Sequence, residues 1–288
     1  MGLKVYIDGE YVDKADAKIS VFDHGLLYGD GVFEGIRAYN GRVFRLDGHI
    51  ARLYDSAKAI MLKVPVGHDR MKKIVTETLA HNGLQDAYIR LLVTRGAGTL
   101  GLDIDACPSP SIICITDSIA LYPAEYYLKG LEVITVSTRR IGLGTLFPQV
   151  KSLNYLNSIL GKIEAMNAGV PEAIMLNPSG AVAECTGDNI FIVKGGRLIT
   201  PDVNSGILEG ITRAAVIELA SKEGITVEER TVSRYEVFTA DECFLTGTAA
   251  EVIPVVKVDC RVIGDGAPGP MTKLLLGKFH ELVRTEGS

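Results

Sequence analysis

The chain has 288 residues, of which 47% are hydrophobic and 23% are charged, and its net charge is −5. This length can hold one large domain or two of ordinary size, and the composition excludes intrinsic disorder. A negative net charge without a dense lysine and arginine cluster argues against a nucleic-acid-binding surface.

The sequence leads us to expect neither a targeting segment nor a membrane span. Its first residues contain no long apolar core, so we expect no signal peptide, and no uncharged apolar run approaches the length of a membrane span. The five cysteines are odd in number and lack the C-x-x-C spacing of metal sites. We therefore expect reduced thiols, a cytoplasmic location, and neither a metal nor a membrane partner.

Two tight hairpins are predicted near the start of the chain. Asp8-Gly9 and Asn40-Gly41 each separate two strand-like runs, and such pairs favour the positive φ of two-residue turns. The intervening glycines, Gly29, Gly31 and Gly35, resemble a G-x-G-x-x-G phosphate loop. The third glycine is one residue late and a hairpin follows in place of a helix, so we reject a dinucleotide-binding fingerprint.

The first half of the chain continues with two helices and two strands. Asp47 is a candidate cap for a helix with Ile50, Leu53, Ala57 and Ile60 on its apolar side, and a second helix is predicted over 71–80. Strands are predicted at 87–94 and 111–116. Because Pro123 interrupts the pattern, we predict a linker at 118–125 between a small N-terminal domain, 1–117, and a larger C-terminal domain, 126–288.

The second half mixes strands and helices as well. A helix after Lys151 has an apolar stripe and ends at Gly169; its stripe consists of Leu156, Ile159, Leu160, Ile163 and Met166. Another helix is predicted to follow Gly206–Arg213, Ser233 and Glu236 fit a capping box, and a last helix starts near Pro270. Strands are predicted at 131–138, 172–176, 190–193 and 197–200, the last two joined by Gly195-Gly196. The predicted fold class is α+β.

Four features could carry chemistry. Lys151 lies between an apolar run and a helix start, where partial desolvation can free its amine as a nucleophile. Glu184 is expected in a polar turn between strands. Gly210-Ile211-Thr212 at a helix start and Gly247-Thr248 after a strand could each hold an anion. An amine, a carboxylate and two anion cradles are what pyridoxal phosphate requires.

At this point the sequence resembles the branched-chain amino-acid aminotransferases, which are fold-type-IV pyridoxal-phosphate enzymes. The resemblance rests on six blocks that occur in the family's order over nearly the whole chain: Tyr28-Gly-Asp-Gly-Val-Phe-Glu-Gly-Ile-Arg37, His49-x-x-Arg52-Leu53, Lys151-x-x-x-Tyr155, Glu184-x-x-Gly-Asp-Asn189, Gly210-Ile-Thr-Arg213 and Gly247-Thr-Ala-Ala-Glu251. It implies a two-domain fold with mixed sheets and a homodimer or higher homo-oligomer.

The resemblance also implies roles for residues around the cofactor. Lys151 would form the Schiff base and then move the proton at the substrate Cα. Glu184 would face the pyridine nitrogen, and Tyr155 would hydrogen-bond the ring's phenolic oxygen. The phosphate would be held by Arg52, Ile211, Thr212 and Thr248, and Gly210 and Gly247 would also belong to the cofactor site.

For the substrate, the resemblance implies transamination of leucine, isoleucine and valine with 2-oxoglutarate in a ping-pong reaction. The α-carboxylate would be held by the N–H groups of Thr248 and Ala249 and by the Tyr88 hydroxyl. Arg90 would meet the second carboxylate of glutamate. The apolar pocket would be walled by Phe33, Tyr122 and Tyr28, the last lent by the other subunit.

Three alternatives stay open from the sequence. D-Amino-acid transaminases and the lyase of aminodeoxychorismate share this scaffold, and a non-catalytic binding protein could retain it. The former pair an arginine with a histidine two residues on, whereas Leu92 follows Arg90 at that distance here. Two departures from the family pattern are Asp188, where many members have Glu, and Cys185, for which we hypothesise a packing role.

Overall fold

The structure, a computed structural model, describes residues 2–118 and 122–287, which group into two compact units. The first contains residues 2–118, 150–154 and 283–287, and the second contains 122–149 and 155–282. The predicted linker 118–125 includes residues 119–121, which lie outside the described residues. The domain limits at 117 and 126 therefore stay predictions.

One segment packs differently from the predicted domain assignment. Residues 150–154, which include Lys151, belong to the first unit and not to the predicted C-terminal domain. The reason is backbone pairing: the Phe33 N–H donates to the Lys151 carbonyl at 3.0 Å, and the Leu153 N–H donates to the Gly31 carbonyl at 2.9 Å.

The first unit is built on a six-stranded antiparallel sheet in the order β2-β1-β6-β5-β3-β4. Its strands are β1 Lys4–Ile7, β2 Glu10–Asp13, β3 Gly31–Tyr39, β4 Arg42–Val43, β5 Ala87–Thr94 and β6 Ser111–Asp117, and its helices are α1 His24–Tyr28, α2 Leu46–Ala59 and α3 His68–His81. A short 3₁₀ turn spans Ile104–Ala106. The hairpin predictions are confirmed, because Asp8, Gly9, Asn40 and Gly41 all have positive φ.

Helices α2 and α3 share one core with this sheet. Ile50 and Leu53 of α2 and Ile74 of α3 are fully buried together with Ile36 of β3 and Ile89 of β5. The apolar stripe predicted for α2 is thus confirmed, but the predicted cap is wrong. The helix begins after Arg45, which has φ 49° and makes no side-chain cap, and Asp47 lies in the first turn.

The second unit contains a nine-stranded mixed sheet in the order β12-β11-β10-β13-β14-β7-β8-β9, with β15 paired to β14. The strands are β7 Leu131–Thr135, β8 Glu172–Leu176, β9 Val182–Cys185, β10 Asn189–Lys194, β11 Arg197–Thr200, β12 Val227–Glu229, β13 Glu242–Gly247, β14 Glu251–Val258 and β15 Arg261–Val262. The helices are α4 Ala124–Lys129, α5 Leu156–Asn167, α6 Ile211–Lys222, α7 Arg234–Phe238 and α8 Pro270–Thr285, with a 3₁₀ turn at Val203–Ser205. The predicted α+β class is confirmed.

Helix α5 is where predicted, but its predicted apolar stripe is exposed. Leu156 is 66% exposed and Ile159 51%, whereas the residues that α5 buries are the small Ser158, Gly161 and Ala165. The predicted capping box of α7 and the start of α8 at Pro270 are confirmed. Across the described ranges, no helix is both long enough and apolar enough to cross a membrane.

Candidate active site

The candidate residues fall into two sets, one in each unit. In the first unit, Lys151 is tied to its surroundings through its backbone. Its N–H donates to Ser56 Oγ of α2 at 3.1 Å, and its carbonyl accepts from Phe33 of β3. Its Nζ lies 4.7 Å from the centroid of the Phe33 ring. Lys151, a half-buried residue outside the strands, is therefore held by backbone hydrogen bonds to β3 and α2.

The face of the sheet that carries Phe33 also carries the predicted substrate residues. Alternate residues of a strand share a face, so Tyr88 and Arg90 of β5 lie opposite the core residue Ile89. The Arg90 guanidinium is 4.4 Å from the Phe33 ring centroid and 5.4 Å from that of Tyr88. Phe33 is thus in contact with two cationic side chains, Arg90 and Lys151.

A glycine makes room for this arrangement. Gly35 of β3 pairs with Arg90 of β5, and a Cβ at Gly35 would lie 2.1 Å from the Tyr88 hydroxyl oxygen. Any larger residue at position 35 would displace the tyrosine that is predicted to bind a carboxylate.

Arg52 is held by a buried acid, Glu34, that the sequence analysis did not identify. Arg52 Nε and Nη2 each donate to Glu34 at 2.7 Å, and His49 Nδ1 lies 2.7 Å from Glu34 Oε2. Burial alone would raise the pKa of Glu34, but Arg52 and His49 outweigh it and lower that pKa to about 2. Desolvation lowers the pKa of His49. The cluster therefore pairs one buried carboxylate with one guanidinium and one imidazole.

Tyr28 makes different contacts from the other predicted pocket residues. It ends α1, is 36% exposed, and its hydroxyl accepts the Gly101 N–H at 3.0 Å. Its ring packs edge-on against His24 at 4.9 Å. The predicted role of Tyr28 in a partner's pocket stays a prediction.

In the second unit, Glu184 lies on a strand, so the prediction of a turn is wrong. It belongs to β9 and pairs with Met175 of β8, and its side chain is 7% exposed. The four buried residues of β9 are too few to give an alternating pattern that reads as a strand. A carboxylate on a strand is held more rigidly than one in a loop.

Both oxygens of Glu184 are engaged by named partners. Arg140 Nη2 lies 2.6 Å from Oε1. The Asn189 side-chain amide and the Leu208 N–H each donate to Oε2 at 3.0 Å. Charge-assisted bonds of this kind favour the ionised carboxylate and fix its orientation.

The same network reaches the start of α6. Gly210 is the N-cap of that helix and makes no side-chain cap, and Asn189 Oδ1 lies 2.1 Å from where a Cβ of Gly210 would be. Thr212 in the first turn is buried. The 12-residue helix therefore presents uncapped N-terminal amides beside residues that also hold Glu184.

Gly247 ends β13 and allows a second close approach. A Cβ there would lie 1.9 Å from Asp188 Oδ1, and Thr248 and Ala249 follow in a turn. The Thr246 hydroxyl is buried without a hydrogen-bond partner among the described residues. The predicted anion-binding turn thus adjoins a buried carboxyl group.

That carboxyl group, Asp188, lies near a second buried acid, Glu172. Glu172 Oε1 accepts the Thr186 hydroxyl at 2.6 Å, and Lys162 Nζ lies 3.6 Å from Oε2. Burial, followed by the charge of Glu172, raises the pKa of Asp188 to about 7. The pKa of Asp188 is therefore raised above that of an ordinary aspartate by burial and by a neighbouring carboxylate.

Tyr122 and Cys185 lie in the hydrophobic core of the second unit. Tyr122 is 7% exposed, with its hydroxyl 3.5 Å from Glu172 Oε2, and its place in a pocket wall stays a prediction. Cys185 is 1% exposed in the same core cluster, and burial raises the pKa of its thiol. The packing role expected for Cys185 fits these contacts. Tyr155, the residue before α5, is half-buried.

Sequence reasoning missed Glu34, His49, Arg140 and Asn189 as parts of the site. Glu34, His49 and Asn189 lie within the sequence blocks that define the resemblance. Membership in those blocks could have marked them as site residues. Arg140 had none, because it precedes Glu184 by 44 positions in a loop outside every block.

Comparison with known proteins identifies the family of this chain. The model of the amino-transferase class IV family matches residues 31–258. A Methanocaldococcus jannaschii protein assigned to the branched-chain-amino-acid aminotransferases is 55% identical over 280 residues, which cover 97% of this chain and 96% of that one.

Two solved structures are also similar. The Escherichia coli branched-chain amino acid aminotransferase has a TM-score of 0.96 and 38% identity, with 98% of this chain and 95% of that chain covered. The T.th. branched-chain amino acid aminotransferase complexed with N-(5'-phosphopyridoxyl)-L-glutamate has a TM-score of 0.92 and 36% identity, with 98% and 94% covered. The chain therefore belongs to the class IV aminotransferases, in the branched-chain-amino-acid aminotransferase family.

Proposed function

We propose that the protein is a pyridoxal-phosphate-dependent transaminase that moves the amino group of leucine, isoleucine or valine to 2-oxoglutarate. The reaction runs as two half-reactions in one site, in the ping-pong manner. The observation that carries this proposal is the fixed carboxylate of Glu184, joined through Asn189 to the uncapped start of α6. The names of the relatives support the amino-acid class, and the T.th. enzyme's complex supports the cofactor class.

The residues present fit this cofactor. A protonated pyridine nitrogen needs an oriented carboxylate, and contacts with Arg140, Asn189 and Leu208 fix the orientation of Glu184. A phosphate needs unpaired amides, and Gly210 opens the backbone at α6, where a Cβ would collide with Asn189. Lys151 supplies an amine from a segment whose backbone is hydrogen-bonded to β3.

When bound, pyridoxal phosphate supplies an electron sink that stabilises negative charge at the substrate α-carbon. Lys151 would hold the cofactor through its amine, and its Nζ would take the proton from the substrate α-carbon. Glu184 holds the proton on the pyridine nitrogen, and Tyr155 orients the ring through its phenolic oxygen. Each role needs a side chain fixed in place, which the backbone contacts of Lys151 and the bonds of Glu184 provide.

The phosphate is held by the N–H groups of Ile211 and Thr212 together with Thr248 and Arg52. A helix N-terminus favours an anion through its dipole and its unpaired amides. Glu34 occupies Nε and Nη2 of Arg52, so it sets the plane in which the guanidinium lies.

Substrate recognition combines an apolar wall with one cation. Phe33 offers apolar surface to leucine, and Arg90, 4.4 Å from its ring, meets the second carboxylate of glutamate. Tyr88 and the N–H groups of Thr248 and Ala249 hold the α-carboxylate.

The protein acts as a homodimer or a higher homo-oligomer in this proposal. The α5 stripe, whose members Ile159, Leu160 and Ile163 are 51%, 46% and 46% exposed, supports it. An apolar helix face of this size on the surface of one chain marks a protein contact. The stripe holds no charged residue, so the occupant that it favours is a second copy of the same apolar face.

We also place the protein in the cytoplasm. All five cysteines are free thiols, and three of them, Cys114, Cys185 and Cys243, are buried. A reducing compartment keeps such thiols in this state.

The test is turnover by the purified protein loaded with cofactor. L-Leucine and 2-oxoglutarate should together give L-glutamate and the branched-chain oxo acid in equal amounts. Omission of 2-oxoglutarate should stop steady turnover, which separates a transaminase from a lyase, and D-leucine should not replace L-leucine. No glutamate, or glutamate from D-leucine alone, would contradict the proposal.

A further inference from the structure

Arg140 and Glu184 form an ion pair that is mostly buried. Arg140 Nη2 lies 2.6 Å from Glu184 Oε1, and the two side chains are 12% and 7% exposed. A buried pair keeps its charges only when each partner compensates the other, since neither is screened by water.

The position of Arg140 is fixed from both sides. Asn157 of α5 accepts the Ile141 N–H at 3.2 Å and donates to the Arg139 carbonyl at 2.8 Å, so one side chain holds both neighbours of Arg140. The Arg140 N–H donates to the Leu176 carbonyl at 2.8 Å. The backbone around Arg140 is thus hydrogen-bonded to both α5 and β8.

The guanidinium itself makes one further bond. Nη1 donates to Ser158 Oγ at 3.1 Å, and Nε is buried without a hydrogen-bond partner among the described residues. An arginine kept buried with a donor unsatisfied is held there by something that outweighs the loss. The carboxylate of Glu184 is the charge that it contacts.

The surroundings of Glu184 show why a cation is needed. Glu184 lies close enough to Asp188 to act on its charge, and Glu172 lies beside Asp188. Lys162, the cation on that side, is 3.6 Å from Glu172. A buried carboxylate near two other carboxyl groups would tend to take up a proton, and Arg140 is a cation in direct contact with it.

We infer that Arg140 is a positioning residue that keeps Glu184 ionised and oriented, so that Glu184 can hold a proton on an aromatic nitrogen of the ligand. This inference rests on the proposed function. A merely structural arginine would support the fold without acting on the ligand's nitrogen.

The test is a double-mutant cycle on the cofactor-loaded protein with Arg140→Met, Glu184→Gln and both. Two readouts are taken: kcat, and the NMR signal of ¹⁵N-labelled pyridoxal phosphate, which distinguishes a protonated from an unprotonated nitrogen. Arg140→Met should lower kcat about tenfold or more, the scale on which residues that orient a functional group act. It should move the nitrogen signal toward the unprotonated form.

If Arg140 acts through Glu184, the effects of the two substitutions should not add. In the Glu184→Gln background, Arg140→Met should change kcat less than about twofold, because the carboxylate that Arg140 contacts is gone. The nitrogen signal should stay close to that of Glu184→Gln alone. Arg140→Lys, which retains a charge, should restore part of the loss. Ser158→Ala, a milder change that keeps the charge, should shift the nitrogen signal in the same direction as Arg140→Met and less far.

Arg230→Met is the matched control. Arg230 is also an arginine of the second unit in ion pairs, with Glu228 and Glu236, and it lies outside the candidate site. It should leave the nitrogen signal unchanged.

A wild-type signal in Arg140→Met, or full additivity with Glu184→Gln, would overturn the inference while the role of Glu184 stands. An unchanged signal in Glu184→Gln itself would overturn both. If Arg140→Met does not fold, the Lys and Ser158 variants decide, and a wild-type signal in both overturns the inference.

Discussion

Replacement of Glu34 by Gln should destabilise the first unit in a pH-dependent way. Glu34 is fully buried and bonded to Arg52 and His49 at 2.7 Å. Their contacts lower the pKa of Glu34 from 4.5 to about 2. Glutamine cannot carry the negative charge, so the variant removes the buried carboxylate that Arg52 and His49 contact.

The pKa gives the magnitude. A difference of 2.5 between 4.5 and about 2, at about 1.36 kcal/mol for each pH unit, corresponds to about 3 kcal/mol of unfolding free energy. Because the folded pKa is the lower one, this stabilisation is fully present above pH 4.5. It is lost as the pH falls towards 2, and about 2 kcal/mol of it should be gone by pH 3.

The assay is urea unfolding of the cofactor-free protein, followed by circular dichroism from pH 7 to pH 3. Glu77→Gln is the matched control, because Glu77 forms an ion pair with Arg70 in the same unit but is 44% exposed. Its loss should cost less than about 1 kcal/mol at any pH. At pH 7, Glu34→Gln should cost about 3 kcal/mol or more, and the difference from wild type should shrink in acid. A cost near that of the control, or one independent of pH, would refute the reasoning.

Three further predictions address the site and the assembly. Glu184→Gln should lower kcat with leucine about a hundredfold, or about 3 kcal/mol, while the cofactor still binds; a kcat within a few-fold of wild type would return Glu184 to a structural role. Arg90→Met should cost the glutamate half-reaction about 2–5 kcal/mol, which lowers its kcat/KM roughly 30-fold to several thousand-fold. The leucine half-reaction should be nearly unaffected, and single-turnover rates with each amino acid can show the difference. Equal losses for both amino acids would remove Arg90 from side-chain recognition. Ile159→Asp on α5 should lower the mass measured by light scattering, and an unchanged mass would contradict contact through that face.

The sequence predicts those parts of the fold that depend on local chemistry. The hairpins at Asp8-Gly9, Asn40-Gly41 and Gly195-Gly196 were predictable because all six residues adopt positive φ, which few residue types tolerate. Strand β5 and the capping box of α7 were predictable for the same kind of local reason.

Where the prediction failed, the information is not local. The stripe of α5 was identified, but periodicity shows only that a face is apolar and not what covers it. The strand that carries Glu184 was missed because all four of its residues are buried and no alternation marks it. The partnership of Arg140 with Glu184 depends on residues that meet only after the second unit has folded.

The most direct measurement of the central claim is the visible absorption spectrum of the cofactor-loaded protein, before and after L-leucine, for wild type and Lys151→Ala. The account predicts a visible band in wild type that bleaches on addition of L-leucine and returns with 2-oxoglutarate. Because one amine both binds the cofactor and moves the proton, Lys151→Ala should lose the wild-type band and all turnover. A Lys151→Ala protein that retains the band and wild-type turnover would contradict the account.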